Sequence, residues 1–137
     1  MGVVLMIETP GQGLHEITGD VAGVAAGSDV RDGLCVLFVQ HTSASLTIQE
    51  NADPSARCDL ESWLGRTIRE DDPCWTHTAE GPDDMPAHVR AMVTDVSLSI
   101  PMIDGRLALG SWQGIYLCEH RRGEHRRRVV VTFVAEG

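Results

Sequence analysis

Three observations in the sequence predict an α+β domain with a mostly antiparallel sheet. Apolar strand-like runs dominate both ends of the chain, among them GVVLMIE at 2–8, GLCVLFVQ at 33–40 and RRRVVVTFV at 126–134. Two substantial segments, after Asp53 and near Asp84, carry apolar residues at helical spacing. The late strands are separated by short turn signals, as antiparallel neighbours are. With 137 residues the chain suits one hydrophobic core, so 1–137 is read as a single domain.

The elements follow in order. GVVLMIE makes the first strand. After the GQG turn, Thr18 stands where it could cap a short Gly- and Ala-rich helix over VAGVAAG, 21–27. GLCVLFVQ is apolar on both alternating faces, which predicts a central strand. HTSASLTIQEN, 41–51, then alternates: Ala44, Leu46 and Ile48 share one face, and His41, Ser43, Ser45, Thr47 and Gln49 the other. Asp53 before Pro54 supplies an N-cap acceptor and a proline at the first helical position. Leu60, Trp63, Leu64, Thr67 and Ile68 recur at helical spacing as a buried face. DDPCWTHTAEGPDDMPAH is loop-rich. A second helix is expected from near Asp84 to about Thr94, its stripe of Met85, His88, Val89, Met92, Val93 and Val96 turned inward. VSLSIP and RLALG flank MIDG, where Asp104-Gly105 signals a hairpin turn. WQGIYLCEH and RRRVVVTFV flank a further loop, RRGE, and are expected to pair as a second hairpin.

Composition narrows the function. Eleven basic residues against 20 acidic ones give a net charge of −9, which speaks against nucleic-acid binding. All the basic residues are arginine, so lysine Schiff-base chemistry and a lysine phosphate loop are excluded. Arg121, Arg122, Arg126, Arg127 and Arg128 cluster; they form an anion site, a salt-bridged subunit contact or a solvated hairpin. No run is long and apolar enough to span a membrane, and MGVVLMIETP lacks the basic lead of a signal peptide. The expected location is the cytoplasm. Cys35, Cys58, Cys74 and Cys118 form no C-x-x-C pair and are read as structural thiols, without disulfides.

Six histidines are weighed singly. His15 and His125 lie in turn regions and are read as surface residues. His41 heads the polar stripe, His77 sits in the long loop, His88 faces inward near a helix start, and His120 ends a strand. Imidazoles converging at strand ends and helix starts could hold a divalent metal, Zn²⁺ suiting neutral nitrogen donors. Asp53, Asp83 and Asp84 are all explained as helix caps. Glu119 follows Ile115 and Leu117 on an apolar face. It must be desolvated or paired there, as a general base, an orienting carboxylate or half of a salt bridge to an arginine. In GSWQG, Trp112 and Gln113 offer a stacking face and a hydrogen-bonding head, or else a bulged strand with a core tryptophan.

HTSASLTIQENADP, the segment from His77 through DDMPAH, and GSWQGIYLCEHR together resemble the YjbQ-like family over nearly the whole chain. The resemblance implies an α+β fold with sandwich-like sheets, two main helices and a homotrimer. It implies a weak, secondary thiamine-phosphate synthase activity, a transferase reaction joining hydroxymethylpyrimidine pyrophosphate to thiazole phosphate with release of pyrophosphate. It places site residues at His41, Thr42, Ser43, Ser45, Asn51, Asp53, His77, His88, Trp112, Gln113 and Glu119, with His120 and Arg121 as secondary positions. Ser111 replaces an expected threonine. DDMPAH stands where many relatives have N-A-D-A-H, so no role resting on that asparagine passes to this chain. In the leading reading, His41, His77, His88 and His120 hold a divalent metal, Zn or Mg, or the first three contact the anion directly. Glu119, His41, Ser43, Ser45, Asn51 and Asp53 serve the reaction, and Trp112, Gln113 and Arg121 hold a phosphorylated substrate. A non-catalytic trimer that binds a metal or small anionic metabolite, and a metal-dependent phosphoester hydrolase, are the alternatives.

Overall fold

The computed structural model describes residues 2–137. The order of elements is β1 (Gly2–Thr9), β2 (Gly13–Glu16), α1 (Thr18–Ala26), β3 (Gly33–Val39), β4 (Ala44–Glu50), α2 (Pro54–Thr67), α3 (Asp84–Val93), β5 (Ser97–Ile103), β6 (Arg106–Leu107), β7 (Gln113–Glu119) and β8 (His125–Ala135). They form two antiparallel sheets, β1-β8-β3-β5-β6 and β2-β7-β4. The α+β class holds, as a sandwich of two sheets with α2 against the outer face of the smaller one. Among the described residues no helix is long and apolar enough to cross a membrane.

Period-two alternation builds the core. Cys35, Leu37 and Val39 of β3 and Val129, Val131 and Phe133 of β8 face Ala44 and Leu46 of β4 and Ile115 and Leu117 of β7. Val21 and Ala25 of α1 join the same cluster. A smaller cluster, Leu14, Tyr116 and Cys118, lies on the opposite face of the three-stranded sheet, where Leu60 and Leu64 of α2 cover it.

Several expectations are corrected. β7 and β8 do not pair: β7 lies between β2 and β4, and β8 lies between β1 and β3. The RRGE loop therefore crosses between sheets, because the inward residues of both strands are needed on opposite walls of one core. Residues 13–16, read as part of a turn region, form β2. Thr18 does not cap α1; its hydroxyl donates to Glu16 and accepts from the Ile115 N–H, both at 2.8 Å. β3 is central in its sheet, but Leu34 and Phe38 on its outer face are exposed. α2 starts as expected, with Asp53 accepting from the Ser55 N–H at 3.0 Å, yet contains no fully buried residue. Trp63 is half exposed, since only the Leu60–Leu64 edge reaches the sheet.

α3 is turned relative to the expected stripe. Asp84, Pro86, Ala87 and Arg90 are buried, while Met92, Val93 and Val96 are exposed. Polar contacts fix this rotation: Asp84 meets two histidines and Arg121, and Arg90 donates to the Ile68 carbonyl. All four cysteines are free; Cys35 and Cys118 are buried, but Cys58 and Cys74 are exposed and so play no packing role. His15 and His125, read as surface residues, are half-buried, His15 within β2 and His125 at the start of β8.

Left-handed backbone matters at the β5–β6 turn and at the start of β3. Asp104 and Gly105 have φ of 52° and 78°, the I′ geometry that the Asp-Gly signal predicts between β5 and β6. Gly33 has φ of 153°, and a Cβ there would run into the Val134 carbonyl oxygen. Gly33→Ala should therefore destabilise the fold by about 2–4 kcal/mol, read from the urea midpoint. A midpoint equal to that of the parent would mean that the β3–β8 ladder yields locally.

Candidate functional site

At one end of the sandwich two inward-facing rows finish in opposite charges. On β7, Ile115 and Leu117 lead to Glu119; on β8, Phe133, Val131 and Val129 lead back to Arg127. Arg127 donates through Nε to Oε1 of Glu119 at 2.7 Å and through Nη2 to Oε2 at 2.5 Å. Thr9 donates to Oε1 at 2.7 Å, the Arg121 N–H to Oε2 at 3.1 Å, and Arg127 also donates to Ser43 Oγ at 3.0 Å. Burial pushes the Glu119 carboxyl up, but the donors from Arg127, Thr9 and Arg121 outweigh it and hold the carboxyl below its ordinary value. Glu119 is thus an ionised, fully engaged carboxylate, the salt-bridged alternative among the sequence readings.

His41 lies beside this pair. Its Nε2 accepts from the Arg128 N–H at 2.8 Å, which occupies the lone pair a metal would need. Burial, then the nearby Arg127 charge, lowers its pKa. His120 is 2 % exposed and bonds Ser45 Oγ through Nε2 at 2.8 Å. Neither histidine joins the other two named as metal ligands.

His77 and His88 do meet, and the residue between them is Asp84. Nε2 of His77 lies 2.8 Å from Asp84 Oδ2, and Nε2 of His88 lies 3.1 Å from the same oxygen. One donor atom from each of the three falls within 4.8 Å of the others. Asp84 and His88 are four apart at the start of α3, so they share a helix face; the preceding loop returns His77 to it. The Thr42 carbonyl lies 2.9 Å from Nδ1 of His88, and Arg121 Nη1 lies 3.3 Å from Asp84 Oδ1. Asp83 accepts from Arg121 at 3.1 Å and from the Arg122 N–H at 3.0 Å instead of capping α3. Burial opposes the charge on Asp84, but the two imidazoles and Arg121 outweigh it and its pKa is lowered.

The remaining site residues lie elsewhere. Ala44 pairs with Glu119, whereas Glu50 pairs with Gln113, so the β4–β7 ladder separates the two groups by about 20 Å. At the far end, Asn51 donates to Glu16 at 3.1 Å and Asp53 caps α2. Gln113 accepts from the Gly110 N–H at 2.7 Å, and Trp112 is 67 % exposed, not a core tryptophan. The single cleft expected from sequence is divided within one chain. Arg121 is committed to Asp83 and Asp84, so its guanidinium is not open to a phosphate here; Arg122 meets Glu70 through Nη2 alone and is otherwise exposed.

Sequence reasoning missed Asp84 as a partner of the histidines, having explained it as a cap; the i, i+4 spacing with His88 was the available signal. It also missed Arg127, whose phase with the buried Val129 and Val131 marks it as inward, and Arg90.

The family model described as "UPF0047 protein YjbQ-like" matches residues 4–136. The chain belongs to the YjbQ-like UPF0047 family. It is 48 % identical over 133 residues to the UPF0047 protein sll1880 of Synechocystis, covering 97 % of this chain and 90 % of that one. It is 42 % identical to the UPF0047 protein YjbQ of Salmonella typhimurium, covering 97 % and 96 %. Among solved structures, the conserved hypothetical protein TT1486 of Thermus thermophilus superposes with a TM-score of 0.85 at 36 % identity, covering 96 % and 99 %. In this YjbQ-like chain the likeness therefore extends over both ends of the β4–β7 ladder.

Burial, followed by the Arg90 charge, pushes His120 down to about 4. An unfolded histidine titrates near ~6.5. Between those values the unfolded chain binds a proton that the folded chain does not, so stability falls as pH falls from about 6.5 to about 4. The contribution is roughly 3 kcal/mol. His120→Gln, which keeps an N–H toward Ser45, should flatten the Tm-against-pH profile in that window; an unchanged slope would assign the effect to another group.

Proposed function

We propose that His77, Asp84 and His88 hold a divalent metal and that the chain uses it on a phosphorylated small molecule. The observation that supports this reading is the placement of His88 between two oxygens. Its Nδ1 faces the Thr42 carbonyl and its Nε2 faces Asp84. A neutral ring that donates from Nδ1 turns a lone pair from Nε2 toward the carboxylate, an arrangement that calls for a cation between them. Two imidazole nitrogens and one carboxylate oxygen suit zinc better than magnesium, and three protein ligands leave positions for a substrate.

The chain's own residues would do the positioning. Thr42 sets the His88 tautomer, and Arg121 occupies one oxygen of Asp84, presenting the other to the metal. A metal so held supplies positive charge for a departing pyrophosphate or for a phosphoester oxygen. The first case is the thiamine-phosphate synthase chemistry implied by the resemblance; the second is phosphoester hydrolysis. A non-catalytic metal- or metabolite-holding module is the second reading. It is favoured by the engagement of Glu119, which leaves no evident general base, and by the commitment of Arg121 to carboxylates.

Protein purified without added metal should carry zinc at about one atom per chain, measured by elemental analysis. Asp84→Asn and His88→Ala should lose it while keeping their circular dichroism. Turnover of the pyrimidine and thiazole substrates, abolished by chelator and by Asp84→Asn, would support the enzyme reading. Stoichiometric metal without turnover would support the holding module. Retention of metal by both variants would remove the assignment.

Assembly as a homotrimer belongs to the same proposal. The outer face of the five-stranded sheet exposes Val4, Met6, Leu34, Phe38 and Val134, and Phe38 pairs directly with Val130. A contiguous apolar face of this kind needs cover. Phe38→Glu should shift the sedimentation equilibrium mass from trimer to monomer; an unchanged mass would move the subunit contact to another face.

A further inference from the structure

Arg90 points from α3 toward the outer face of the three-stranded sheet and is 5 % exposed. Its Nη2 donates to the Ile68 carbonyl at 2.7 Å, its Nε is enclosed without a hydrogen-bond partner, and its Nη1, the nitrogen left open to an anion, makes no hydrogen bond among the described residues. No ion pair among the described residues engages Arg90: the charge of Asp83 acts on it, but Asp83 is held by Arg121 and the Arg122 N–H. A buried guanidinium with an unused donor and no counter-ion in contact is strongly unfavourable unless an anion joins it.

A cavity of about 160 Å³ adjoins it, lined among others by Gln12, Leu14, Glu61, Gly65, Arg90 and His120. That is the volume of roughly five waters, enough for one small oxyanion. A chain of hydrogen bonds sets what His120 offers there. The Thr94 hydroxyl donates to the Arg90 carbonyl at 2.8 Å, so toward Ser45 it accepts, at 2.5 Å. The Ser45 proton is then committed, and Ser45 accepts from Nε2–H of His120 at 2.8 Å. The neutral ring therefore carries its lone pair on Nδ1. His120 is an acceptor to the cavity, while Arg90 is a donor.

The two carboxylates in the wall refine the ligand. Glu119 is answered by Arg127. Glu61 accepts from the Leu14 N–H at 2.8 Å and has no cationic side chain paired with it among the described residues, so this carboxylate in the wall disfavours a multiply charged guest. We propose that this cavity binds a small monoanionic oxyanion that retains a proton, accepting from Arg90 and donating to Nδ1 of His120. Dihydrogen phosphate and bicarbonate share that chemistry. The site is distinct from the His77–Asp84–His88 group and does not rest on the metal reading.

The test is thermal unfolding of the full chain at near-neutral pH in phosphate or bicarbonate, against chloride at matched ionic strength. At roughly ten times the dissociation constant, Tm should rise by about 3–6 °C. Comparing the phosphate and bicarbonate arms tells which of the two is preferred. Dimethyl phosphate, which has no proton to give, should produce no rise. Arg90→Met should abolish the response. Gly65→Leu should abolish it too, because an added side chain at Gly65 meets nothing within 4 Å and fills the open space; this variant also serves if Arg90→Met does not fold. Chelator should leave the response intact. No rise with either anion, a response kept in Gly65→Leu, or one lost to chelator would overturn the site. An equal rise with dimethyl phosphate would overturn the requirement for a proton.

Discussion

The bidentate contact between Glu119 and Arg127 closes the end of the sandwich, and the arrangement around it follows from that closure. Each residue continues an inward-facing row of apolar side chains, one from each sheet. Were either to stand alone, an unpaired charge would sit in the core, at a cost of several kcal/mol. The pair therefore fixes the register of the two sheets against each other. It also gathers Thr9, Ser43 and the start of the loop after β7 onto one carboxylate and one guanidinium.

From that closed end the loop after β7 carries Arg121 outward to Asp83 and Asp84. α3 is thereby held by its polar residues, and its apolar edge is left facing out. The same rotation that presents Asp84 to two histidines also drives Arg90 inward. The His77–Asp84–His88 group and the placement of Arg90 beside its cavity are two results of one helix orientation.

Much of the fold is legible in the sequence. The Asp53-Pro54 start of α2, the Asp104-Gly105 turn and the apolar alternation of β3, β7 and β8 all act locally, and the structure keeps them. What was not legible depends on partners distant in the chain. Pairing of β7 with β8 is the locally obvious choice, yet the core needs them on opposite walls. The stripe from Met85 to Val96 reads as a buried face because apolar residues outnumber polar ones there, while ion pairs with Arg121 and the histidines decide the rotation. His77 and His88 are named by the sequence, but their partner Asp84 is hidden behind a sufficient explanation as a cap. His41 and His120 look equivalent to them in sequence and differ only in which N–H or hydroxyl already holds the ring.

The strand order carries a consequence for how the chain acquires its shape. β1 and β3, both near the beginning, pair with β8 from the far end, and neither pairs with the other. Until β8 is available their ladder edges have no native neighbour in that sheet except β5 beside β3. Closing such distant pairings is slow, since the loop entropy comes before the contacts that offset it. On a ribosome, the larger sheet can be completed only after β8 has emerged, and β1 and β3 wait longest for their partner, exposed to aggregation.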